Sequence, residues 1–209
     1  MRNATRLIGL VAVIAASVSC GDVVRQGSSP VYLVVDLLQG IRGATQLGTP
    51  GNPLLSDVIT NVTTPAPCAP ATPCPTIFND LGTVTLRAPL KDTGSGATAL
   101  SPTTNNEVTI NRIHVEYIRA DGRNTPGVDV PFGFDSAITG TIAAGGTLTL
   151  GFELVRSVAK QESPLVQLKQ GSNIISAIAR ITFYGVDRVG NDIQTTGQIQ
   201  VEFGNFGDL

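Results

Sequence analysis

The chain has 209 residues, of which 14 are lysine or arginine and 16 are aspartate or glutamate, so its formal net charge is −2 at pH 7. The sequence contains no basic patch and no aromatic-rich RNA-reading motif, which argues against nucleic acid as a partner. Gly, Thr, Val and Ile are plentiful while helix formers such as Glu and Lys are sparse, and this composition predicts strands joined by turns.

The start of the chain has the pattern of a secretory signal peptide. Arg2 and Arg6 form a positively charged N-terminal region, and an uncharged apolar run of twelve residues follows from Leu7 to Val18. Such a run is too short to cross a bilayer core as a helix, and it ends in small residues. We therefore predict a signal peptide over residues 1–19 that is absent from the mature protein.

Residues Ser17 to Gly21, SVSCG, resemble the lipobox of bacterial lipoproteins, in which the cysteine is diacylated and becomes the new N-terminus. Ser19 and Cys20 fit the motif, whereas Ser17 stands where leucine is usual. The resemblance implies lipidation of Cys20, and two or three acyl chains would hold the protein stably on a membrane. Gly21 is not the aspartate that favours inner-membrane retention, so the outer membrane of the bacterial cell envelope is favoured. The alternative is ordinary signal cleavage, which would leave Cys20 as an unpaired thiol.

The mature chain is predicted to be one β-sandwich domain over residues 31–209, joined to the lipidated cysteine by a flexible tether over residues 20–30. The first strand is predicted from Val31 to Leu38. Alternation assigns to its core face the residues Val31, Leu33, Val35 and Leu37.

Residues 44–76 are rich in proline, which is too frequent here for a central strand or a helix interior. We therefore predict a long irregular insertion. Cys68 and Cys74 would close a short loop within it as a structural disulfide, as expected outside the cytoplasm. A thioredoxin-like redox pair has about two residues between its cysteines, and this pair has five. The insertion is either a recognition loop or a disulfide-pinned surface excursion.

Further strands are predicted from Gly82 to Leu90 and from Glu107 to Ala120. In the longer one the apolar residues change phase, and a β-bulge near Asn111 and Arg112 would return both sets to the core face. The core residues of these two strands are then Val84, Leu86 and Ala88, followed by Val108, Ile110, Ile113, Val115 and Tyr117.

Open loops are predicted over residues 91–106 and 119–131. Strands at Gly140–Ile142 and Thr147–Val155 then flank a glycine-rich turn. Ser163 followed by proline is an N-cap signal, so Pro164–Lys169 is predicted to form one short helical turn that crosses between two sheets.

Residues Ile174 to Phe203 have the pattern of an antiparallel hairpin, with apolar residues at a period of two in both arms and turn formers between them. The run from Ile181 to Val201, with Asp187, Gly190 and Asn191 in its turn, resembles the last hairpin of bacterial immunoglobulin-like domains. The apolar residues of the two arms are Ile175, Ala177, Ala179, Ile181 and Phe183, and then Ile199, Val201 and Phe203.

The seven or eight short strands, with no heptad repeat and no long helix, favour a sandwich. Together with the resemblance, they imply an all-β fold, an immunoglobulin-like antiparallel β-sandwich with long loop insertions and at most one short helix. Immunoglobulin-like domains serve mostly as scaffolds or adhesive modules, so this fold implies no catalytic activity.

The sequence lacks the residue sets of common catalytic sites. Nucleophilic hydrolysis normally pairs a serine or cysteine with a histidine base. The only histidine, His114, is predicted to face solvent because Ile113 and Val115 face the core. No P-loop, nucleophile elbow or dinucleotide-binding glycine motif is present, and the chain cannot supply a usual zinc site. We predict that the protein is not an enzyme, a carboxylate pair acting on glycosides being the remaining alternative.

Two loops contain oxygen donors of the kind that calcium takes. Neither has the EF-hand spacing, and aspartate and asparagine also accept the backbone hydrogen bonds of β-turns. Two roles are therefore open for these residues: they bind calcium, or they only stabilise their own turns. The two clusters are Asp187, Asn191 and Asp192, and Asp121, Asn124 and Asp129.

Two functions are consistent with these patterns. The first is a non-catalytic, membrane-anchored envelope lipoprotein that acts as a protein-binding or structural module, with the membrane and another envelope protein as its partners. The second is a carbohydrate or small-ligand binding module, with or without calcium. In the second, Phe132 and Phe134 would stack on a sugar at the rim of the domain; their alternative role is packing against the core.

Overall fold

The computed structural model describes residues 28–96 and 100–207. The predicted signal peptide, Cys20 and residues 21–27 of the tether lie outside these ranges, so their roles stay predictions. The described residues form ten strands: β1 (Val34–Ile41), β2 (Leu54–Asp57), β3 (Thr60–Val62), β4 (Cys74–Thr76), β5 (Asp80–Arg87), β6 (Val108–Ile118), β7 (Phe134–Ile142), β8 (Thr147–Val155), β9 (Ile175–Asp187) and β10 (Asp192–Gly204).

The long strands form two sheets that face each other across the core, which makes the domain an all-β sandwich. One sheet has the strand order β1-β5-β8, and the other has the order β2-β10-β9-β6-β7. All neighbours in the two sheets are antiparallel except β2, which runs parallel to β10. The strand count exceeds the predicted seven or eight because β2, β3 and β4 are short strands within or at the end of the proline-rich insertion.

The inner faces of the central strands confirm the predicted alternation. The hairpin of β9 and β10 pairs from Ile175 opposite Phe203 to Val186 opposite Asp192. Every predicted core residue of β5, including Ala88 just beyond it, is buried. In β6 the register shifts between Ile110 and Arg112, so the predicted bulge exists and the apolar residues on both sides of it are buried. The sequence pattern therefore fixed the core face of these strands.

The prediction for the first strand is wrong at Leu37. The residue is 51 % exposed, whereas Val31 and Leu33 are buried. The reason is a bulge in β1, where Val35 pairs with Leu86 but Leu37 already pairs with Thr85. The extra residue, Asp36, turns the following side chains over, so that Leu38 packs against the core in place of Leu37.

The proline-rich insertion is more regular than expected. Its strand β2 adds to the free side of β10 immediately after Pro53, and β3 and β4 form a separate two-stranded ribbon. The ribbon ends at Cys74, which forms the predicted disulfide with Cys68. Proline is compatible with these strands because all of them are short or lie at an edge.

The crossover from β8 to β9 closes one end of the sandwich. It contains 3₁₀ helices at Ala159–Gln161 and Leu165–Gln170. The second overlaps the predicted helical turn but begins one residue later, with Pro164 and not Ser163 at the N-cap position and no side-chain cap. Leu165 and Leu168 are buried against the core. Another 3₁₀ helix lies at Thr104–Asn106, so there are more short helices than the one expected. In the described part of the chain, no helix has the length and apolar character needed to span a bilayer.

Candidate functional site

One side of the sandwich is an open edge formed by β7 and β8, and most of it is uncharged. Within the described ranges, β7 pairs only with β6 and β8 only with β5. The hairpin that joins β7 to β8 passes from one sheet to the other, and the stretch from Ser136 to Phe152 contains no charged residue and no proline. Ile138, Leu148 and Leu150 lie partly buried along this edge and pack against the core.

The other edges carry features that discourage pairing with another chain. The outer strand β1 contains its bulge, and Asp36 at that bulge forms an ion pair with Arg87 at 3.0 Å. At the far side of the larger sheet, β2 is only four residues long and pairs with β10 at Val201–Gly204 alone, so the earlier part of β10 has no second neighbour strand in the described ranges. The β7–β8 side differs in that two long strands have free outer sides along their full length, which suits it to accept a further strand.

Phe132 and Phe134 lie beside a small cleft of about 180 Å³. Phe132 is 56 % exposed, and its ring lies over Gly127, where a Cβ atom would come within 2.7 Å of Phe132 Cε2. Phe134 has one face covered by the Arg156 guanidinium, 3.8 Å from the ring centroid. Glu162 also lines the cleft. The two phenylalanine side chains thus line the same cleft, and the ring of Phe132 is the more exposed of the two.

The carboxylate of Asp187 is engaged by its own turn. It accepts hydrogen bonds from the backbone N–H groups of Val189 and Asn191, at 3.0 and 2.8 Å, and from Asn191 Nδ2 at 2.8 Å. Burial opposes its ionisation, but the hydrogen bonds from Asn191, Ser29 and Val189 outweigh burial and hold the pKa of Asp187 below its ordinary value. Asp192 is the first residue of β10. In this arrangement Asn191 turns its amide nitrogen, not its oxygen, toward Asp187.

The second predicted calcium cluster is also used within its loop. Asp121 lies between Arg119 and Arg123, with ion-pair distances of 2.7 and 2.8 Å, and hydrogen bonds from these two arginines lower its pKa. Asn124 accepts a hydrogen bond from the Arg119 backbone, and Asp129 accepts one from the Thr125 backbone. Over residues 28–96 and 100–207, no group of three or more His, Cys, Asp or Glu side chains could hold a metal ion.

A polar cleft of about 390 Å³ follows the β6 bulge on the outer face of the larger sheet. The Arg112 guanidinium covers the Tyr184 ring there, 3.9 Å from its centroid, and forms a 3.2 Å ion pair with Asp135. His114 lies on the same face as predicted, with Nδ1 3.3 Å from Asp135 Oδ2. Its neighbour is a carboxylate and not a serine or cysteine nucleophile.

A buried polar cluster lies where β5 begins. Lys160 Nζ is 2.8 Å from Asp80 Oδ2, and neither side chain has any exposed surface. Ser56 Oγ donates a hydrogen bond to Asp80 Oδ2 at 2.6 Å, and the Gly43 backbone N–H donates one to Asp80 Oδ1 at 2.8 Å. We refer to these four residues as the Asp80 cluster. It joins β5, β2, the segment that follows β1 and the crossover after β8.

Burial dominates the charge state of the Asp80 cluster. It raises the pKa of the Asp80 carboxyl, although Lys160, Ser56 and Gly43 act in the opposite direction. It also lowers the pKa of Lys160, although the carboxylates of Asp80 and Asp57 oppose this shift. Both shifts favour the uncharged forms, a carboxylic acid beside a free amine.

A second polar pair adjoins the cluster. Asp57 is buried and forms an ion pair with Arg42, and its carboxylate also accepts hydrogen bonds from the backbones of Ile59 and Phe206 at 3.3 Å. Asp57 therefore fastens the insertion and the C-terminal segment after β10 to the end of β1.

In comparisons with known proteins, the chain matches no family model and no curated protein.

The functional interpretation therefore depends on the residues and geometry of the chain itself. Sequence reasoning did not identify Asp80, Lys160 or Ser56 as a site. Lys160 lies in a loop segment with no apolar periodicity, and lysine is almost never fully buried unless it is paired. The one local signal is an aspartate, Asp80, at the start of a strongly alternating strand, and this signal does not indicate which residue pairs with the carboxylate.

Proposed function

We propose that the protein is a non-catalytic, lipid-anchored module of the bacterial cell envelope that binds another envelope protein through the open β7–β8 edge. The open edge, uncharged from Ser136 to Phe152, is the observation that carries this proposal. A partner strand could pair with the outer backbone groups of β7 or β8, and main-chain hydrogen bonds would supply affinity.

The start of the chain supports the membrane setting. The lipobox-like residues around Cys20 precede the domain by a short segment, and in a lipidated protein this segment would tether the sandwich to the membrane. The disulfide between Cys68 and Cys74 agrees with an oxidising compartment. The immunoglobulin-like resemblance of the last hairpin supports a scaffold or adhesive role.

The test uses the full-length chain with a C-terminal tag, expressed in its own cells, crosslinked mildly and extracted in detergent. Mass spectrometry identifies copurifying envelope proteins and measures the mass of the N-terminal peptide. We expect an acylated Cys20 and one envelope protein in near-stoichiometric amount. An unmodified Cys20 thiol would contradict the anchor.

Variants connect the partner to the edge. Ala137→Lys/Thr139→Lys places two charges on exposed positions of β7, and Thr83→Lys/Thr85→Lys places the same charges on the outer face of β5, which is paired on both sides. Lysine on an edge strand discourages strand addition, so we expect the β7 variant to lose the partner at least tenfold and the β5 variant to retain it. Equal retention by both variants would exclude the edge as the binding surface.

A specific observation supports a second candidate function, the binding of a carbohydrate or small ligand. Phe132 is exposed beside Phe134, and Arg156 and Glu162 provide polar groups in the same cleft. Such a combination of an apolar ring and convergent polar groups is typical of ligand sites. Melting temperatures measured across a glycan panel, with and without calcium, test it: no shift with any member removes this candidate, and a shift abolished by Phe132→Ala supports it.

A further inference from the structure

The contact between Lys160 and Asp80 has the composition of an amide-forming pair. The Lys160 amine and the Asp80 carboxyl are 2.8 Å apart, and both side chains are shielded completely from solvent. Although Nζ lies this close, it has no hydrogen bond of normal geometry to any described residue. An amine held against a carboxyl group and protected from water meets two requirements of condensation, namely proximity and exclusion of water.

The surrounding groups are placed to assist the carboxyl. The Gly43 N–H points at Asp80 Oδ1, where it would stabilise negative charge that develops on that oxygen during addition. The Ser56 hydroxyl contacts Oδ2, the oxygen that would leave. The raised pKa of Asp80 and the lowered pKa of Lys160 favour the neutral acid and amine, which are the forms that react.

We propose that Lys160 and Asp80 condense within the folded chain to an intramolecular amide. Lys160 Nζ attacks Asp80 Cγ, so the Nζ–Cγ bond forms and the tetrahedral intermediate carries its charge on Oδ1. A proton passes from Nζ through the Ser56 hydroxyl to the protonated Oδ2. The Cγ–Oδ2 bond then breaks and one water molecule leaves. Acid and amine give amide and water, so no oxidant, reductant or activated donor is needed.

The amide would connect parts of the fold that are distant in the sequence. Asp80 begins β5 in the smaller sheet, and Lys160 lies in the 3₁₀ helix of the crossover to β9 in the larger sheet. The bond would therefore close a covalent loop through both sheets. This modification goes beyond the proposed binding function and does not depend on it.

Peptide mapping of the full-length protein tests the proposal. After reduction and alkylation, trypsin cuts after Arg42 and Arg87, which releases residues 43–87 with Asp80. An amide at Lys160 blocks cleavage there, so residues 157–169 stay intact. We expect these two peptides to be joined, with a mass one water molecule below their sum, and fragmentation to place the bond at Asp80. Recovery of residues 157–160 and 43–87 as separate peptides in full amount would overturn the proposal.

Variants control for the identity and chemistry of the bond. Lys160→Arg keeps a long basic side chain without a reactive amine and should abolish the joined peptide, whereas Lys169→Arg should retain it. Ser56→Ala should lower the joined fraction in freshly synthesised protein. Persistence of the joined species in Lys160→Arg, or an unchanged fraction in Ser56→Ala, would contradict the assigned nucleophile or the assigned proton relay, respectively. The wild-type map alone decides the bond even if a variant fails to fold.

Discussion

At the residue scale, Asp187 shows how one side chain can accept the hydrogen bonds that the N–H groups of a turn donate. Its two carboxylate oxygens accept three hydrogen bonds from Val189 and Asn191 across the loop between β9 and β10. Gly190 completes the turn with a φ of 92°, a left-handed conformation that glycine adopts at little cost. Asp187 and Asn191, two of the three residues that suggest a calcium site here, therefore have a structural use in the turn.

Asp187→Asn should destabilise the domain by about 2 kcal/mol at neutral pH, because it removes the charge that strengthens these hydrogen bonds. The pKa of Asp187 is lowered in the folded state. Its contribution is therefore present above the ordinary aspartate pKa of about 4 and is lost as the pH falls through the folded-state value. Urea unfolding of both proteins at neutral and acid pH measures the difference.

Asp192→Asn is the matched control in the same loop, since the Asp192 carboxylate accepts no hydrogen bond from the described part of the chain. It should change stability by less than about 0.5 kcal/mol. An Asp187→Asn penalty that is equally large at acid pH would show that the charge of Asp187 is not its source.

At the element scale, the pairing of β5 with β8 depends on the absence of a side chain at Gly82. Gly82 lies directly opposite Phe152. The Phe152 ring occupies the space over Gly82 and packs edge-on against Phe183, with centroids 5.7 Å apart. A Cβ atom at Gly82 would come within 2.6 Å of Phe152 Cε2. The two sheets can therefore approach here only because β5 has glycine at this position.

Gly82→Ala should cost about 1–3 kcal/mol, because the buried Phe152 ring would have to leave its position against Phe183. Gly151→Ala, on the neighbouring pair of the same two strands, is the control. A Cβ atom there would have its nearest contact at 4.0 Å, with the Gly82 carbonyl, so the change should be neutral or stabilise by less than about 1 kcal/mol. Thermal unfolding compares the two variants, and an equal loss in both would contradict the packing argument.

At the scale of the whole molecule, the Asp80 cluster holds together elements that belong to different layers. Asp80 comes from β5, Ser56 from β2 in the larger sheet, and Lys160 from the crossover. Tyr117 fastens the same end of the sandwich, since its hydroxyl donates a 2.6 Å hydrogen bond to the Leu154 carbonyl across the core. Burial raises the pKa of Tyr117, so it stays an un-ionised donor.

Asp80→Ala should destabilise the domain by about 3–5 kcal/mol, because it leaves the Lys160 amine buried without its partner. Lys160→Met should cost less, since Asp80 can remain protonated and retains its contacts with Ser56 and Gly43. The double variant Asp80→Ala/Lys160→Met should be more stable than Asp80→Ala alone. Denaturant unfolding of the wild type and the three variants gives the coupling free energy between Asp80 and Lys160. Additive losses of stability would show that the two side chains do not interact.

The sequence alone determined the features that depend on local alternation. A strand with one buried face must place apolar residues at every second position, so β5, β6, β9 and β10 could be predicted, including the bulge before Arg112, where the phase of the apolar residues changes. The spacing of Cys68 and Cys74 likewise indicated their disulfide, because the loop that they close is short.

Only the tertiary structure decided the features that depend on contacts between distant segments. The first strand has apolar residues on both of its faces, so the bulge at Asp36 does not interrupt any visible alternation. The exposure of Leu37 could therefore not be predicted. The addition of β2 to β10 and the meeting of Lys160 with Asp80 follow from how the two sheets stack. A buried ionisable group is stable only beside its partner, and nothing in the local sequence around Lys160 specifies which residue the fold will place there.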